Sequence, residues 1–384
     1  MRVPDEPVGG WAKGILGPPE GESLFDGPFS FPLMVARRDD LRHNIATVAA
    51  FARDHGLELA PHAKTTMAPA LLADQLAAGA WGFTVATPSQ ALTLRGFGVG
   101  RIVLANQVVD PAGLRAIAAE LDADPSLEFL CFADSVAGIE ILSAHAGSRP
   151  FRVLAELGHV GGRGGSRTLG ELLDVVAAAR EAPGVEVAGV AGYEGGLGSA
   201  AEVRAYLGRL QEALDHVRAP RPILSVGGSQ WFDVIGRELA ACQATIILRS
   251  GAYVSHDDGY YRERTPYTRI DGELRAALEV WAHVLSVPEP GLAVLGFGKR
   301  DAPCDEGMPV PKAVRREGRT KPLEGVEVVK VQDQHTICAG EAGLRPGDLV
   351  CFGISHPCTA FDKWRVLPVV DDRHVVVDLL RTYF

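Results

Sequence analysis

The chain has 384 residues, too many for one ordinary hydrophobic core and enough for two domains or for one large barrel with an addition. Hydrophobic residues make up 47% and charged residues 22%, which is the balance of a soluble globular protein. The net charge of -10 argues against a nucleic-acid partner, because the only basic cluster is RREGRTK at residues 315–321, which we expect to be a solvated loop.

Short apolar runs alternate with helical patterns between residues 33 and 255, and eight of these runs predict parallel strands. The helical stretches are rich in Ala and Leu, as in TLGELLDVVAAAREA. Eight βα units in succession predict an α/β fold with a closed (βα)8 barrel of the TIM type, and a doubly wound open sheet is the alternative. The predicted strands are LELAPHA (57–63), GFTVAT (82–87), RIVLAN (101–106), LEFLCFA (127–133), FRVLAEL (151–157), VEVAGVAGY (185–193), PILSVGG (222–228) and ATIILRSGAYV (244–254).

The pattern changes after residue 262, where short alternating runs appear among Gly and Pro, as in GVEVVKVQDQHTI and RPGDLVCFGI. These runs predict an antiparallel β domain. The predicted division is an N-terminal segment (1–32), a barrel (33–262) and a β domain (263–384). The N-terminal segment is rich in Gly and Pro, and we expect it to pack on the β domain or to lie across the barrel mouth.

Six cysteines are scattered over the long chain, which indicates reduced thiols and not a disulfide scaffold. Cys131 and Cys351 stand in apolar runs and are expected in the core. No run of eighteen apolar residues occurs, and the N-terminal MRVPDEPVGGW lacks the pattern of a signal peptide. We therefore predict a cytoplasmic protein without a membrane partner.

Lys64 follows the first predicted strand, in the motif PHAKT. In a βα barrel the chemistry lies at the C-terminal ends of the strands. A lysine whose stem is packed in apolar surroundings is less readily charged, and its free amine can attack a carbonyl to form a Schiff base. The alternative is a surface lysine that keeps its amine in water.

Other strand ends favour the first interpretation of Lys64. Strand five ends in ELGHVGGRGGSR, where Arg163 can present a planar fork of donors and the glycines allow a ligand to approach the backbone. Strand six ends in AGYEGG, which places Tyr193 and Glu194 at the same rim. These polar groups therefore predict a binding site at this end of the barrel.

The last two strands end in a predicted phosphate site. Gly227, Gly228 and Ser229, in SVGGSQWF, offer backbone amides and a hydroxyl, and Gly251 and Tyr253, in RSGAYV, are available for the same anion. A tight turn would explain GGS alone, but phosphate sites at this place recur in such barrels. An amine and a phosphate site together suit a phosphorylated aldehyde, and pyridoxal 5′-phosphate (PLP) fits that description.

The β domain contains a candidate metal site in GISHPCTAFDKW. His356 and Cys358 are two residues apart, so on an extended segment their side chains share a face and could bind one metal ion. Two ligands leave positions open for water or substrate, which suits Lewis-acid chemistry. His335 is a candidate third ligand or a partner of the ligands. The alternative is a capped loop histidine with an incidental thiol.

Taken together, these motifs resemble the fold-type III PLP enzymes, and within them the group of D-serine dehydratases and D-threonine aldolases. The resemblance covers essentially the whole chain, and its most specific parts are PHAKT and SHPCT. It implies an alanine-racemase-like barrel followed by a β domain, and a homodimer. The chain differs from the family pattern in its strand-five motif, where an aspartate and a glutamine are common, in GYEGG and in LGFGKRDAPCDEGMP.

The resemblance also implies roles for single residues. Lys64 matches the lysine that binds PLP covalently, with His62 in the same motif, and Arg163 matches the arginine that contacts the ring oxygen. Tyr193 matches a tyrosine near the pyridine nitrogen. The remaining matches are the phosphate-binding residues Gly227, Gly228, Ser229, Gly251 and Tyr253, and the zinc pair His356 and Cys358.

The implied activity is a zinc-assisted dehydration and deamination of a D-3-hydroxyamino acid that gives a 2-keto acid and ammonia. The aldolases of the group carry an aspartate where this chain has Cys358, which favours the dehydratase. Three alternatives stay open: a D-threonine aldolase-like lyase, an amino-acid racemase and a non-catalytic PLP-binding protein.

Overall fold

A computed structural model describes residues 12–384. Its described residues form two compact units, one with residues 48–64 and 75–251 and the other with residues 12–47, 65–74 and 252–384. The domain boundaries that we derived from the sequence stay predictions. The first eleven residues of the predicted N-terminal segment lie outside the described residues.

Strand β1 (Leu33–Arg37) and helix α1 (Arg38–Asp54) precede the strands of the first unit. Eight parallel strands then follow at the places predicted from the sequence. They are β2 (Glu58–Leu59), β3 (Phe83–Val85), β4 (Arg101–Gln107), β5 (Glu128–Ala133), β6 (Phe151–Glu156), β7 (Val185–Ala191), β8 (Ile223–Val226) and β9 (Thr245–Leu248). The helices that follow them in the chain are α2 (Pro69–Ala77), α3 (Pro88–Gly96), α4 (Pro111–Ala123), α5 (Val136–Ala144), α6 (Leu169–Glu181), α7 (Ala200–His216) and α8 (Phe232–Glu238).

The eight strands form a nearly closed barrel in the order β2-β9-β8-β7-β6-β5-β4-β3. A parallel bridge between His62 and Thr84 joins the two ends of the sheet, and the Thr84 hydroxyl donates to the Ala60 carbonyl at 2.7 Å. The predicted barrel is therefore confirmed. A cluster of buried apolar side chains fills its interior: Ala60, Val103, Leu130, Phe132, Leu154, Ala188, Ala191, Ile223 and Ile247.

Side-chain caps define where the helices begin after the strands. Thr87, Asp110 and Ser135 each accept a hydrogen bond from a backbone amide in the first turn of α3, α4 and α5. Thr168 begins α6 with a full capping box, in which Glu171 returns the hydrogen bond. The caps therefore fix the residue at which each of these helices begins.

The second unit is built on a ten-stranded, mostly antiparallel sheet in which β1 also takes part. Its central path runs β13-β12-β16-β10-β1-β17-β18, and β11, β14 and β15 extend it. The strands are β10 (Leu278–Glu289), β11 (Leu292–Leu295), β12 (Val310–Arg316), β13 (Arg319–Pro322), β14 (Val326–Val331), β15 (Thr336–Gly340), β16 (Leu349–Gly353), β17 (Val366–Val370) and β18 (Val376–Arg381).

Large aromatic side chains form the core of this unit, with the rings of Phe297 and Phe352 4.6 Å apart and Trp281 fully buried. Near the N-terminus, the amide of Gly21 donates to the carbonyl of Val376 at 2.8 Å. The predicted β domain is thus confirmed as a fold.

The basic stretch 315–321 was wrongly predicted to be a loop. This stretch spans the β12–β13 hairpin. Gly318 lies in its turn and takes the left-handed backbone conformation that a tight turn needs (φ +77°). The hairpin residues on either side of Gly318 are half-buried or exposed.

Cys131 and Cys351 are buried, as predicted, and all six cysteines are free thiols. Within residues 12–384, no helix combines the length and the apolar character that crossing a bilayer requires.

Candidate cofactor and metal sites

Lys64 lies in the short 3-10 turn Ala63–Thr65 and is half-buried. The sequence placed it at the end of a strand over residues 57–63, but the regular strand ends at Leu59. Pro61 lacks an N–H group and cannot continue the ladder, so the chain turns before it reaches the lysine. Lys64 still follows the C-terminal end of the first barrel strand.

His62 is an unusual histidine because its Nδ1 atom is buried without a hydrogen-bond partner among the described residues. Burial lowers the pKa of His62 well below 6.5, and the positive charges of Lys64, Arg249 and Arg163 lower it further. His62 is therefore a neutral imidazole that has one unused polar atom beside three basic side chains.

Arg163 and Tyr193 line a cavity of about 210 Å³ at the C-terminal end of the barrel. The guanidinium carbon of Arg163 lies 5.5 Å from the centre of the Tyr193 ring, and the Tyr193 side chain is 39% exposed. Tyr206 forms the wall behind them: its hydroxyl donates to the carbonyl of Leu157 and accepts from the amide of Tyr193 at 3.1 Å. The sequence predicted Arg163 and Tyr193 here but not Tyr206.

Glu156 closes the same cavity from the end of β6. It accepts a hydrogen bond of 2.6 Å from the Gln107 amide, and burial raises its pKa. A Cβ atom on Gly164 would lie 2.9 Å from its carboxylate, so the glycine allows the loop to pass close to the glutamate.

The glycine pair after β8 is held by a carboxylate. Glu194 accepts from the amide of Gly227 at 3.0 Å and from the amide of Gly228 at 2.7 Å, and its side chain is fully buried. Gly227 has a φ of +98°, which turns the two successive amides toward one acceptor. The two amides thus bind a carboxylate of the chain itself, and the phosphate site expected here stays a prediction.

Ser229 and Gly251 follow the neighbouring strands β8 and β9. Their backbone amides donate to no acceptor in the described part of the chain. A Cβ atom on Gly251 would lie 2.7 Å from the carbonyl oxygen of His62, so only glycine allows this close approach. Tyr253 lies in the 3-10 turn Ala252–Val254 of the second unit and is buried.

Arg249 is a buried cation that the sequence analysis missed. Its guanidinium donates to the Ser225 hydroxyl at 2.8 Å and to the Gly192 carbonyl at 2.7 Å. Burial lowers the pKa of Arg249, whereas the carboxylates of Glu194 and Glu156 favour its charged form. Its position in an apolar run, next to the strand-eight glycine motif, was the signal available in the sequence.

His356 and Cys358 lie together in the second unit, within hydrogen-bonding reach of each other. Nδ1 of His356 lies 2.8 Å from the Asp305 carboxylate, whose other oxygen accepts from the Thr359 hydroxyl at 2.9 Å. Burial disfavours the charged form of His356, but its hydrogen bonds to Cys358 and Asp305 raise the pKa to about 9. The Thr65 hydroxyl lies 3.9 Å from the Cys358 sulfur.

The predicted pair is therefore in place, and Asp305 is a partner that the sequence analysis missed. Residues 12–384 contain no cluster of three or more potential metal ligands, so the structure does not support His335 as a third ligand. His335 is exposed between β14 and β15. Asp305 belongs to the DEGMP stretch, where the family pattern was the only available signal.

Two family models match the chain. The alanine racemase N-terminal domain matches residues 37–236, and the "Putative serine dehydratase domain" matches residues 277–370. A D-threonine aldolase from Arthrobacter sp is 27% identical over 334 residues, which cover 83% of this chain and 82% of that protein.

Solved structures agree with these matches. The crystal structure of a D-threonine aldolase from Filomicrobium marinum has a TM-score of 0.79 and 25% identity, covering 92% of this chain and 95% of its own. A D-threo-3-hydroxyaspartate dehydratase from Delftia sp. HT23 has a TM-score of 0.73 and 23% identity, with coverages of 92% and 98%.

A barrel with a lysine after its first strand and glycine loops after its last strands, followed in the chain by a β domain, defines the fold-type III class of PLP enzymes. The chain belongs to the D-serine dehydratase and D-threonine aldolase-like family of that class. The resemblance seen in the sequence is confirmed.

Proposed function

We propose that the protein is a PLP-dependent lyase that converts a D-3-hydroxyamino acid into a 2-keto acid and ammonia with the help of zinc. The observation that carries this proposal is the imidazole–thiol pair His356 and Cys358, together with Lys64 at the barrel. A racemase needs no such pair, and a non-catalytic PLP carrier needs no second domain to present it.

The residues at the barrel end fit PLP. His62 Nδ1 is a buried polar atom with no partner in the described chain, Ser229 and Gly251 have amides that donate to no protein acceptor, and Lys64 lies two residues from His62. Lys64 would hold the cofactor covalently, and Ser229 and Gly251 would hold its phosphate. Gly227 and Gly228 directly precede Ser229 in the chain, and Tyr253 follows Gly251 by two residues. When bound, PLP withdraws electrons from the α-carbon of an attached amino acid.

Side chains of the protein would orient the PLP ring and remove the substrate's α-proton. Arg163 and Tyr193 line the cavity and would orient the ring, and neutral His62 would contact it without adding charge. Once the substrate amine has replaced it, the Lys64 amine would take the α-proton as general base. Glu156, buried and held by Gln107, would fix one wall of this end of the cavity.

The donor set of the metal site fits zinc, because thiolate and imidazole are its usual ligands. Asp305 holds Nδ1 of His356, which leaves Nε2 for the metal, and Cys358 adds the sulfur. A zinc ion there would supply Lewis-acid stabilisation for a β-hydroxyl that leaves as hydroxide. Loss of the α-proton and the hydroxyl gives an enamine, which water converts into the keto acid and ammonia.

A second candidate is aldol cleavage, in which the Cα–Cβ bond breaks and glycine and an aldehyde form. The relative named D-threonine aldolase, 27% identical over most of both chains, favours this alternative. Cys358 favours the dehydratase. We also propose a homodimer, on the family resemblance, and cytoplasmic location, because six free cysteines suit a reducing compartment.

The test is a product assay with PLP, zinc and a panel of D- and L-3-hydroxyamino acids. We expect a keto acid and ammonia from a D-substrate, and loss of this activity in Cys358→Ala with PLP binding retained. Glycine plus an aldehyde would establish the aldolase instead, and an inverted amino acid would establish a racemase. A PLP-loaded chain that turns over nothing would contradict the enzyme assignment.

A further inference from the structure

Glu194 uses the two amides that the phosphate loop was expected to offer. Its carboxylate oxygens lie 3.0 Å and 2.7 Å from the amides of Gly227 and Gly228, and each oxygen takes one donor. A carboxylate in this place either moves aside for the cofactor phosphate or stays and shapes the loop. The surroundings of Glu194 decide between the two.

Displacing Glu194 would disturb several groups at once. Its side chain is fully buried, and its charge stabilises the buried guanidinium of Arg249. Moving the carboxylate would remove the larger of the two carboxylate contributions to that buried cation and leave only Glu156, which is costly inside a protein. A phosphate brought against Glu194 while it stays would meet like charge at close range. Both costs argue that the phosphate uses other donors.

Suitable donors lie next to the glycine pair. The Ser229 amide comes directly after Gly228, and the Gly251 amide follows the adjacent strand β9. Neither amide donates to a protein acceptor in the described part of the chain. The loop is also tied to β9 from its other side, because the Ser250 hydroxyl donates to the Gly228 carbonyl at 2.6 Å and the Arg249 amide to the Gly227 carbonyl at 3.2 Å.

We propose that Glu194 is a positioning residue that holds Gly227 and Gly228 in the cofactor-bound protein, so that the amides of Ser229 and Gly251 receive the phosphate. This inference rests on the proposed function. Gly227 and Gly228 then contribute the shape of the loop and not its phosphate contacts. Glu194 links the ends of β7, β8 and β9, because it follows β7, accepts from the loop after β8 and faces the arginine after β9.

The experiment compares two cofactors that differ only in the phosphate. The affinities of PLP and pyridoxal are measured by absorbance titration of the wild type, of Glu194→Gln and of Glu202→Gln. Glu202 is an exposed residue in the first turn of α7, and its carboxylate accepts from the Ser199 hydroxyl. We expect Glu194→Gln to weaken PLP about 10- to 100-fold and to change pyridoxal by less than about twofold, since charge-assisted hydrogen bonds that shape the phosphate loop are lost. Glu202→Gln should change neither affinity.

Unchanged or tighter PLP binding in Glu194→Gln would overturn the inference, because the carboxylate would then be idle or a competitor. Equal weakening of PLP and pyridoxal would overturn it too, since that result marks general support of the fold. If the variant does not fold, a crystal structure of the wild type with PLP decides: Glu194 should remain within about 3.2 Å of both amides. Phosphate bound to those amides would refute the inference, whereas a wild type that binds no PLP would refute the proposed function itself.

Discussion

Asp305 contacts His356 with one carboxylate oxygen and Thr359 with the other, so it fixes the orientation of the imidazole ring. A carboxylate in this position also makes the imidazole a better metal ligand. Its side chain is partly exposed, which means that the protein can lose it without creating a buried charge. Asp305 is therefore a residue at which metal affinity can be changed separately from folding.

We expect Asp305→Asn to weaken zinc binding about 10- to 100-fold and to leave PLP binding unchanged. The measurement is competition with a chromophoric chelator, and Asp362→Asn, which removes a nearby exposed carboxylate, is the matched control. Equal zinc affinity in all three proteins would show that Asp305 does not support the ligand.

At Gly251 the effect of a substitution on stability depends on close contact with the backbone of His62 and not on charge. In Gly251→Ala the new Cβ would lie 2.7 Å from the carbonyl oxygen of His62 and 3.0 Å from its amide. We expect a loss of about 1–3 kcal/mol in the free energy of unfolding. Gly208→Ala, at an exposed site in α7 with open space around it, should instead gain about 1 kcal/mol. Chemical denaturation measures both, and a neutral Gly251→Ala would contradict the predicted contact.

Sequence patterns identified most of the candidate residues at this scale but not their partners. Lys64, Arg163 and the H-x-C pair were found because strand ends and short motifs place them. Glu194 and Asp305 were not assigned, because a carboxylate gives no local sign of the amide or imidazole it will meet. Such contacts depend on loops from different strands meeting in space.

At the scale of elements, strand β10 carries a half-buried glutamate whose charged partners come from other parts of the chain. Glu279 accepts from the Trp281 indole at 2.9 Å, lies 2.9 Å from His374 and 3.9 Å from Arg37. Burial opposes its ionisation, but these partners lower its pKa below 4.5. Since the folded pKa is below the unfolded one, its contribution to stability is complete above about pH 4.5 and is lost as the pH falls through the folded value.

We expect Glu279→Gln to reduce the free energy of unfolding at pH 7 by about 2–4 kcal/mol. The difference from the wild type should begin to shrink as the pH falls below about 4.5 and should be lost once the pH passes the lower folded pKa, where the folded wild-type carboxyl is protonated too. Urea denaturation at a series of pH values measures this. A difference that stays constant down to pH 3 would contradict the assigned role.

The eight barrel strands were predictable because buried parallel strands are continuous apolar runs between helical patterns. Their lengths were overestimated at the C-terminal ends, where Pro61 and the glycine motifs stop the ladder and begin the functional loops. The sequence analysis did not predict that β1 belongs to the second sheet, because the apolar pattern LMVAR suits a parallel and an antiparallel strand equally well. Pairing between distant segments is not encoded in local periodicity.

At the scale of the whole molecule, the assembly is the outstanding prediction. We expect sedimentation equilibrium to give twice the chain mass of 40.8 kDa, because the family resemblance implies a dimer. A monomer at assay concentrations that is fully active would contradict that expectation. The fold of each unit was predictable from the sequence. The oligomeric state was not, because a subunit interface leaves no periodic hydrophobic pattern in the sequence.

The most direct test of the account is the covalent bond between PLP and Lys64. The PLP-loaded holoenzyme is reduced with borohydride, digested and analysed by mass spectrometry. We expect the pyridoxyl phosphate label on Lys64 alone, and no label in Lys64→Ala. A label on another lysine, or equal labelling of the variant, would show that the amine after the first barrel strand is not the cofactor's attachment point.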